Sequence, residues 1–288
     1  MNVQAHAFTI VLRTPPVVRR AIAWGSYQLV SLGYATTLRL DDRSARAERD
    51  VADSAFMNYG YVADDDEPLE LPPALEVART QIAMYRHVLR GVDVRGRDVV
   101  EVGCGRGGGA AWVADVLEPA TMVGVDLAPG AIAFCRSHHV RGNLRFETGK
   151  AESLPLGDVS ADVIVNVESS HYYDMDAFLA EVVRVLRPGG HLCWADTRAH
   201  DQLPALDRSF DASTLATVQR RDISPEVLKA LVATSARRNE VIEGSFPCGT
   251  HYLARTMLGV PGTPLFAAYE RGFLRYESAL LRKPEVTT

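Results

Sequence analysis

The chain has 288 residues, a formal net charge of -5 at pH 7, 47% hydrophobic residues and 23% charged residues. This length is enough for one large domain or two small ones, and the composition is typical of a soluble globular protein. The negative charge argues against a general nucleic-acid-binding protein, which usually carries a basic face, so we expect no nucleic acid among the partners.

The first 55 residues predict a helical accessory or lid segment, and residues 56–288 predict the main domain. The apolar stretch at 21–38 is interrupted by glycine, serine and glutamine. A membrane-spanning helix needs about 20 predominantly apolar residues, so we expect no stable membrane insertion. No cleavage site of small residues follows a clean apolar core, so we expect no signal peptide.

The four cysteines are widely spaced and form neither a C-x-x-C nor a zinc-binding pattern. Cysteines of this kind are typical of reduced, buried thiols, which suits a cytoplasmic protein. We therefore predict cytoplasmic localisation.

A glycine-rich stretch at 99–112, VVEVGCGRGGGAAW, predicts a nucleotide-binding corner in the main domain. It begins as a short apolar strand and continues through Gly103, Gly105 and Gly107 into an alanine-rich helix start. Glycine lets the backbone turn sharply and lets a ligand approach without a Cβ in the way. Together these features indicate a site for a nucleotide-type cofactor.

Strand and helix patterns alternate along the main domain, beginning with a predicted helix at 76–89. Alternation at this spacing predicts a parallel sheet covered by helices on both faces. Further strands are predicted at 121–126, 144–148, 161–167 and 191–196, with helices at 129–139 and 176–186 among them.

After Asp196 the pattern changes to helices only, over about 198–260, and a final β run follows at 273–281. We predict an α/β fold, a Rossmann-like doubly wound, mainly parallel seven-stranded sheet. The final run is expected as a C-terminal antiparallel edge strand. The helical insertion is expected to form a substrate cap above the carboxyl ends of the strands, where α/β proteins bind ligands.

A carboxylate closes the second predicted strand. Asp126 ends the run TMVGVD, 19 residues after Gly107. A carboxylate at this place can accept hydrogen bonds from both hydroxyls of a ribose, and the alternative is a cap of the next helix. NAD and S-adenosylmethionine both carry adenosine, so this corner alone does not distinguish them.

The motifs EVGCGRGGG, VGVDLAPGAI, GKAESLP, ADVIVNVESSHYY and VLRPGGHLCWAD follow one another in the chain. In this order they resemble the class I S-adenosylmethionine-dependent methyltransferases, over roughly 59–283. The small-molecule methyltransferases of lipid, polyketide and glycoside tailoring are the most similar. Among these, the phthiotriolone and phenolphthiotriolone dimycocerosate methyltransferases resemble the chain through GGGA, NVESSH and FLAEVVRVLRPGG. The resemblance implies S-adenosyl-L-methionine as cofactor and S-adenosyl-L-homocysteine as product.

The resemblance implies roles for residues around the glycine stretch. Gly103, Gly105 and Gly107 would shape the wall against the methionine and ribose parts of the cofactor. Asp126 would bind the ribose hydroxyls, and Leu127 would pack on the adenine.

It also implies roles for residues further away. The backbone of Ala151 and the side chain of Glu152 would meet the adenine edge, and Asn166 would lie beside the sulfonium. Tyr61 belongs to a G-Y element that resembles one closing over the cofactor, where it would reach the cofactor carboxylate. The chain departs from the family at Lys150, where relatives usually have an aspartate that accepts from the adenine amino group. Either Glu152 or a water molecule would then replace this aspartate, or the cofactor would bind more weakly.

Methyl transfer to an alcohol or phenol needs a base, usually histidine, because its unperturbed pKa is near neutral. His171 follows the fourth predicted strand and resembles the histidine of glycoside and phenol O-methyltransferases. Asp196 is a candidate to orient its imidazole or to contact the acceptor. The alternatives are a histidine that only shapes the pocket and an ordinary strand-end aspartate. Asp174 and Asp176 are explained by a helix cap, and we predict no metal site.

These features predict an O-methyltransferase that acts on a hydroxyl of a hydrophobic polyketide, lipid or other natural-product intermediate, with His171 as general base. A C- or N-methyltransferase is the first alternative, because fold does not fix the acceptor atom. A non-catalytic S-adenosylmethionine-binding accessory protein, favoured by Lys150, and an NAD-dependent oxidoreductase are more distant ones. The expected partner is a hydrophobic small-molecule acceptor, and a homodimer is compatible with the sequence.

Overall fold

A computed structural model of the chain describes residues 55–64 and 68–285. The predicted helical segment at 1–55 therefore lies outside the described residues, except for Ala55. The strands are β1 (Asp98–Val102), β2 (Thr121–Asp126), β3 (Leu144–Thr148), β4 (Ala161–Val167), β5 (Leu186–Ala199), β6 (Ala216–Asp222) and β7 (Leu274–Arg282). They form one seven-stranded sheet in the order β3-β2-β1-β4-β5-β7-β6.

Helices connect and cover these strands. Among the described residues, no helix combines the length and apolar character needed to cross a bilayer. The α-helices are α1 (Arg79–Val88), α2 (Gly108–Val116), α3 (Pro129–His138), α4 (Met175–Val185), α5 (Leu203–Ala212), α6 (Ser224–Ala233), α7 (Ser235–Ser245), α8 (His251–Met257) and α9 (Pro264–Glu270). Short 3₁₀ helices span Pro73–Ala78, Ser170–Tyr172, His200–Gln202 and Cys248–Thr250.

The sheet separates two hydrophobic clusters, as a doubly wound fold requires. Successive side chains of a strand point to opposite faces, so neighbours belong to different clusters. Val99 packs in the cluster that includes α1, α2 and α3, whereas Val100 packs in the one that includes α4 and α5. Strands β1 to β5 pair in parallel. The predicted α/β class and doubly wound sheet are confirmed.

The structure corrects two details near the C-terminus. The predicted antiparallel strand is present as β7, but it pairs with both β5 and β6, so β6 forms the edge of the sheet. The segment 198–260, expected to be only helical, contains this edge strand. Most residues of β6 are exposed, so its sequence, ATVQRRD, lacks the apolar alternation that marks a half-buried strand.

The carboxyl ends of parallel strands lie along one edge of the sheet, where α/β proteins bind ligands. Because β1, β2, β4 and β5 pair in parallel, the residues that end or follow them meet at this edge. The sheet thereby brings together Gly103, Asp126, Asn166 and Asp196, which are far apart in sequence.

Candidate active site

The turn after β1 depends on glycine for its conformation and for close packing. Gly103, Gly105 and Gly107 have φ values of +76°, +54° and +78°, in the left-handed region that favours glycine. A Cβ at Gly103 would lie 2.2 Å from the Ser169 hydroxyl oxygen and 2.5 Å from the Tyr173 hydroxyl oxygen. The predicted glycine turn is therefore present. Because Gly103 has no side chain, its backbone packs directly against the loop after β4.

Asp126 lies beside this turn at the end of β2. Its Oδ2 accepts a hydrogen bond from the backbone N–H of Gly105, and its Oδ1 accepts one from that of Ala128, each at 2.9 Å. Burial raises the pKa of Asp126, and the two backbone hydrogen bonds oppose this rise. Ala128 is the N-cap of α3 and makes no side-chain cap hydrogen bond, so Asp126 fixes the residue just before this helix rather than capping its first turn. A carboxylate has about four lone-pair sites, so both oxygens can accept further hydrogen bonds.

The residues expected near adenine lie on the loops after β2 and β3. Leu127 is 47% exposed, which offers an apolar surface next to Asp126, and Ala151 is buried. Glu152 already has a structural partner, because its Oε1 accepts a hydrogen bond from the backbone N–H of Asp174 at 3.1 Å. Lys150 is exposed.

Asn166 ties the end of β4 to the end of β1. Its side chain is fully buried, and its Nδ2 donates to the carbonyl oxygen of Val102 and to the hydroxyl of Ser169, both at 2.8 Å. The Ser169 hydroxyl donates to the same carbonyl at 3.2 Å. Asn166 therefore fixes the loop that faces the glycine turn.

His171, which follows β4, and Asp196, which lies within β5, form a largely buried pair. The imidazole Nδ1 lies 2.7 Å from Oδ1 of Asp196, and the two side chains are 13% and 0% exposed. An ionised carboxylate only accepts hydrogen bonds, so Nδ1 carries the proton and donates it. The acceptor lone pair of the neutral imidazole is then on Nε2.

The surroundings of Asp196 keep it ionised. Burial alone would raise the pKa of Asp196, but the charges of His171 and Arg198 and hydrogen bonds from His171 and Ser170 hold it well below its usual range. The Ser170 hydroxyl donates at 2.7 Å, and the backbone N–H groups of His171 and Thr197 donate at 2.8 Å and 2.7 Å. Ser170 and Arg198 were not predicted as site residues. Only the fold brings Ser170 to the carboxylate, whereas Arg198 is two residues after Asp196 in β5, so the alternation of strand side chains was the available signal.

Glu168 is a further site residue that the sequence analysis did not single out. It follows β4 directly and has a φ of +51°, which is rare for a residue with a side chain. Its Oε1 accepts hydrogen bonds from the backbone N–H of Tyr59 at 2.7 Å and from the Tyr276 hydroxyl at 2.8 Å. Burial raises the pKa of Glu168 to about 8, although these two hydrogen bonds lower it. Its place directly after a buried strand was the available signal.

Tyr61, expected to reach the cofactor carboxylate, is 1% exposed and stacks on His87, with 4.3 Å between the ring centroids. Its backbone N–H donates to the carbonyl oxygen of Thr80 at 2.9 Å. Tyr59, two residues earlier, donates its backbone N–H to Glu168.

The aspartates next to His171 have structural roles that fit a helix start. Asp174 precedes α4, and its carboxylate accepts a hydrogen bond from the backbone N–H of Ala177 at 3.2 Å. Within 55–64 and 68–285, no group of three or more His, Cys, Asp or Glu side chains is arranged to hold a metal ion.

The fold and the comparisons with known proteins define a class of protein, the Rossmann-like S-adenosylmethionine-dependent methyltransferases. Residues 100–194 match the family model described as "Methyltransferase domain". Among solved structures, the fold is similar to geranyl diphosphate C-methyltransferase from Streptomyces coelicolor A3(2), with 16% identity, a TM-score of 0.59 and coverage of 85% of this chain and 100% of that one. It is also similar to the StiE O-MT, with 19% identity, a TM-score of 0.60 and coverage of 85% and 92%.

The sequence comparisons narrow this class. The chain is 37% identical to the phthiotriol/phenolphthiotriol dimycocerosates methyltransferase of Mycobacterium leprae, over 77% of this chain and 82% of the relative. It is 41% identical to the fatty-acid O-methyltransferase of Mycolicibacterium smegmatis, over 62% of this chain and 66% of the relative. The chain therefore belongs to the methyltransferase family that contains the phthiotriol/phenolphthiotriol dimycocerosates methyltransferases.

Proposed function

We propose that the protein transfers a methyl group from S-adenosylmethionine to a hydroxyl of a hydrophobic small molecule, with His171 as the general base. The observation that carries this proposal is the 2.7 Å contact between His171 Nδ1 and Asp196 Oδ1 at the carboxyl edge of the sheet. A histidine oriented by a buried carboxylate is a common arrangement for taking a proton from a reacting group.

The strand-end residues fit the adenosine part of S-adenosylmethionine. The positive φ values of Gly103 and Gly105 let the peptide approach a ligand closely. The Asp126 carboxylate can accept from ribose hydroxyls, and the exposed side chain of Leu127 offers an apolar face for adenine. When bound, this cofactor supplies an electrophilic methyl group on a sulfonium.

In the proposed mechanism the protein positions the acceptor and removes its proton. His171 Nε2 would take the proton from the acceptor hydroxyl as that oxygen forms its bond to the methyl carbon, and the methyl–sulfur bond would break to leave S-adenosylhomocysteine. Asp196 stays ionised and stabilises the imidazolium that results. General-base catalysis of this kind contributes about 10²- to 10⁴-fold to a rate, and alignment of the two reactants contributes further.

The class of acceptor is proposed from the relatives and from the surroundings of His171. Two relatives are named for methylation of dimycocerosates and of fatty acids, both hydrophobic molecules. Tyr172 lies against His171, with 3.9 Å between the ring centroids, and adds aromatic surface beside the base. We accordingly propose a lipid, polyketide or other natural-product intermediate as acceptor. Cytoplasmic localisation, a homodimer and the absence of nucleic acid among the partners stay predictions from the sequence.

The proposal can be tested by incubating the protein with methyl-labelled S-adenosylmethionine and a panel of long-chain acceptors. The panel contains an alcohol, a phenol, a hydroxylated fatty acid and an amine, and mass spectrometry locates the added methyl group. We expect methylation on oxygen, lost at least 10²-fold in His171→Ala. His200→Ala, which changes an exposed histidine after β5, is the control and is expected to keep wild-type turnover.

The same assay distinguishes the alternatives. Methyl transfer to nitrogen or carbon, undiminished in His171→Ala, would contradict both the hydroxyl acceptor and the general base. Cofactor binding without transfer to any acceptor of the panel would favour the non-catalytic accessory protein.

A further inference from the structure

A segment that precedes the sheet lies across the glycine turn. We call residues 55–61 the strap. A Cβ at Gly105 would lie 3.2 Å from Sδ of Met57, and a Cβ at Gly108 would lie 2.8 Å from the carbonyl carbon of Ala55. The strap therefore covers both the turn and the start of α2, which face the proposed cofactor site.

The carboxyl group of Glu168 holds the middle of this strap. Its Oε1 accepts the backbone N–H of Tyr59 at 2.7 Å, and the hydroxyl of Tyr276 donates to the same oxygen at 2.8 Å. Tyr276 belongs to β7, so the sheet fixes the direction of the carboxyl group. One oxygen atom thus joins the strap to the sheet.

The backbone conformation of Glu168 is energetically unfavourable. A φ of +51° is unfavourable for a residue with a Cβ, and such strain persists only where the surroundings impose it. It clusters at ligand clamps and active sites in known proteins. Here the left-handed residue ends β4 and turns its carboxyl group toward the strap, three residues before His171.

Tyr59 also connects the strap to helices α7, α8 and α9. Its hydroxyl donates to the carbonyl oxygen of Met257 at the end of α8, at 3.0 Å, and its carbonyl oxygen accepts from Arg238 Nη2 of α7, at 3.0 Å. Its ring packs edge-on against Tyr269 of α9, with 6.4 Å between centroids. A strap held at Tyr59 is therefore held to α7, α8 and α9.

We propose that Glu168 is a positioning residue that latches the strap over the bound cofactor through Tyr59. The proposal rests on the proposed function, because it takes the glycine turn as the cofactor site. Glu168 lies on the same loop after β4 as His171. This loop therefore holds both the strap and the proposed general base.

The test compares two substitutions at this position by calorimetric titration with S-adenosylhomocysteine and by hydrogen exchange of the strap. Glu168→Gly removes the carboxyl group and relieves the left-handed backbone. We expect it to bind S-adenosylhomocysteine about tenfold more weakly, or about 1.4 kcal/mol, and to exchange the strap amides faster. Glu168→Gln keeps an acceptor oxygen and is expected to stay within about twofold of wild type in both measurements, given the same hydrogen bonds.

A matched control relieves the same strain elsewhere. Val159 has a φ of +52° and is exposed before β4, so Val159→Gly should leave affinity and strap exchange unchanged. If Glu168→Gly does not fold, Tyr276→Phe takes its place, because it removes only the hydroxyl donor, and we expect weaker binding and faster strap exchange.

The proposal is overturned if Glu168→Gly, or its replacement, keeps wild-type affinity and wild-type strap exchange. It is also overturned if Glu168→Gln loses as much affinity for S-adenosylhomocysteine, and as much protection of the strap amides, as Glu168→Gly. Failure of wild type itself to bind S-adenosylhomocysteine would instead contradict the proposed function.

Discussion

His171 and Asp196 are joined by a 2.7 Å hydrogen bond between Nδ1 and Oδ1, although 25 positions separate them in the chain. One residue follows β4 and the other lies within β5, and the parallel pairing of these strands brings them together. The same carboxylate also accepts from the backbone N–H of His171, so the loop and the ring are fixed at once.

This pairing predicts that Asp196→Asn impairs turnover more than cofactor binding. The amide can no longer stabilise an imidazolium or fix the Nδ1–H tautomer, so we expect kcat to fall about 10²-fold. Calorimetry with S-adenosylhomocysteine should give a dissociation constant close to that of wild type, which also checks that the variant folds. Unchanged kcat would remove Asp196 from the mechanism.

Asp126→Ala should mainly affect the cofactor. Each hydrogen bond to a charged group contributes about 1.5–3 kcal/mol, so losing the ribose contacts should weaken S-adenosylmethionine binding about 10²-fold. The measurement is a titration at constant salt, with thermal unfolding as a check on the fold. Full affinity in a folded Asp126→Ala protein would show that the ribose lies elsewhere.

Lys150 offers a gain-of-binding experiment. It stands where relatives usually have an aspartate, and it is exposed beside the residues expected near adenine. If adenine lies there, Lys150→Asp supplies an acceptor for its amino group, and one such hydrogen bond of about 1 kcal/mol tightens binding about fivefold. Lys150→Ala, which removes the lysine without adding an acceptor, is the control. Equal affinities of the Asp and Ala variants would argue against adenine at this loop.

Stability should depend on pH through His139, which is buried behind the glycine turn. Its Nε2 donates to the carbonyl oxygen of Arg106 at 2.8 Å, and burial lowers its pKa from 6.5 to about 4. Between these values the unfolded chain binds the proton and the folded protein does not, so stability falls as pH falls from 6.5 toward 4.

The size of this effect follows from the pKa difference. Between pH 7 and pH 5 wild type should lose about 2 kcal/mol relative to His139→Gln, which keeps an N–H donor but does not titrate. Urea unfolding of both proteins at the two pH values measures the difference. A difference that does not change with pH would show that His139 titrates normally in the fold.

The sequence predicted the strands that form the site. The runs at 121–126, 144–148 and 161–167 coincide with β2, β3 and β4. β2 and β4 are buried parallel strands, which are short apolar runs bounded by turn residues, whereas β3 is a partly exposed strand at one end of the sheet. The glycine turn and the carboxylate of Asp126 were also predictable, because each is marked by residues that are close together in the chain.

Contacts between distant segments were not predictable. Nothing local to Ser170 shows that it reaches Asp196, which is 26 positions away, and the left-handed backbone of Glu168 has no glycine to mark it. Tyr61 was predicted from a motif and stays a prediction, and no sequence pattern indicated that the backbone of Tyr59 contacts Glu168. The edge strand β6 was not predicted, because its sequence is polar and the segments on both sides of it have helical patterns.

The most direct test of the central claim is a calorimetric titration of the purified protein with S-adenosylhomocysteine, S-adenosylmethionine and NADH. The account predicts that the two sulfur compounds bind at one site, that NADH does not bind, and that Asp126→Ala weakens both interactions. A folded protein that binds neither sulfur compound, or that binds NADH instead, would contradict it.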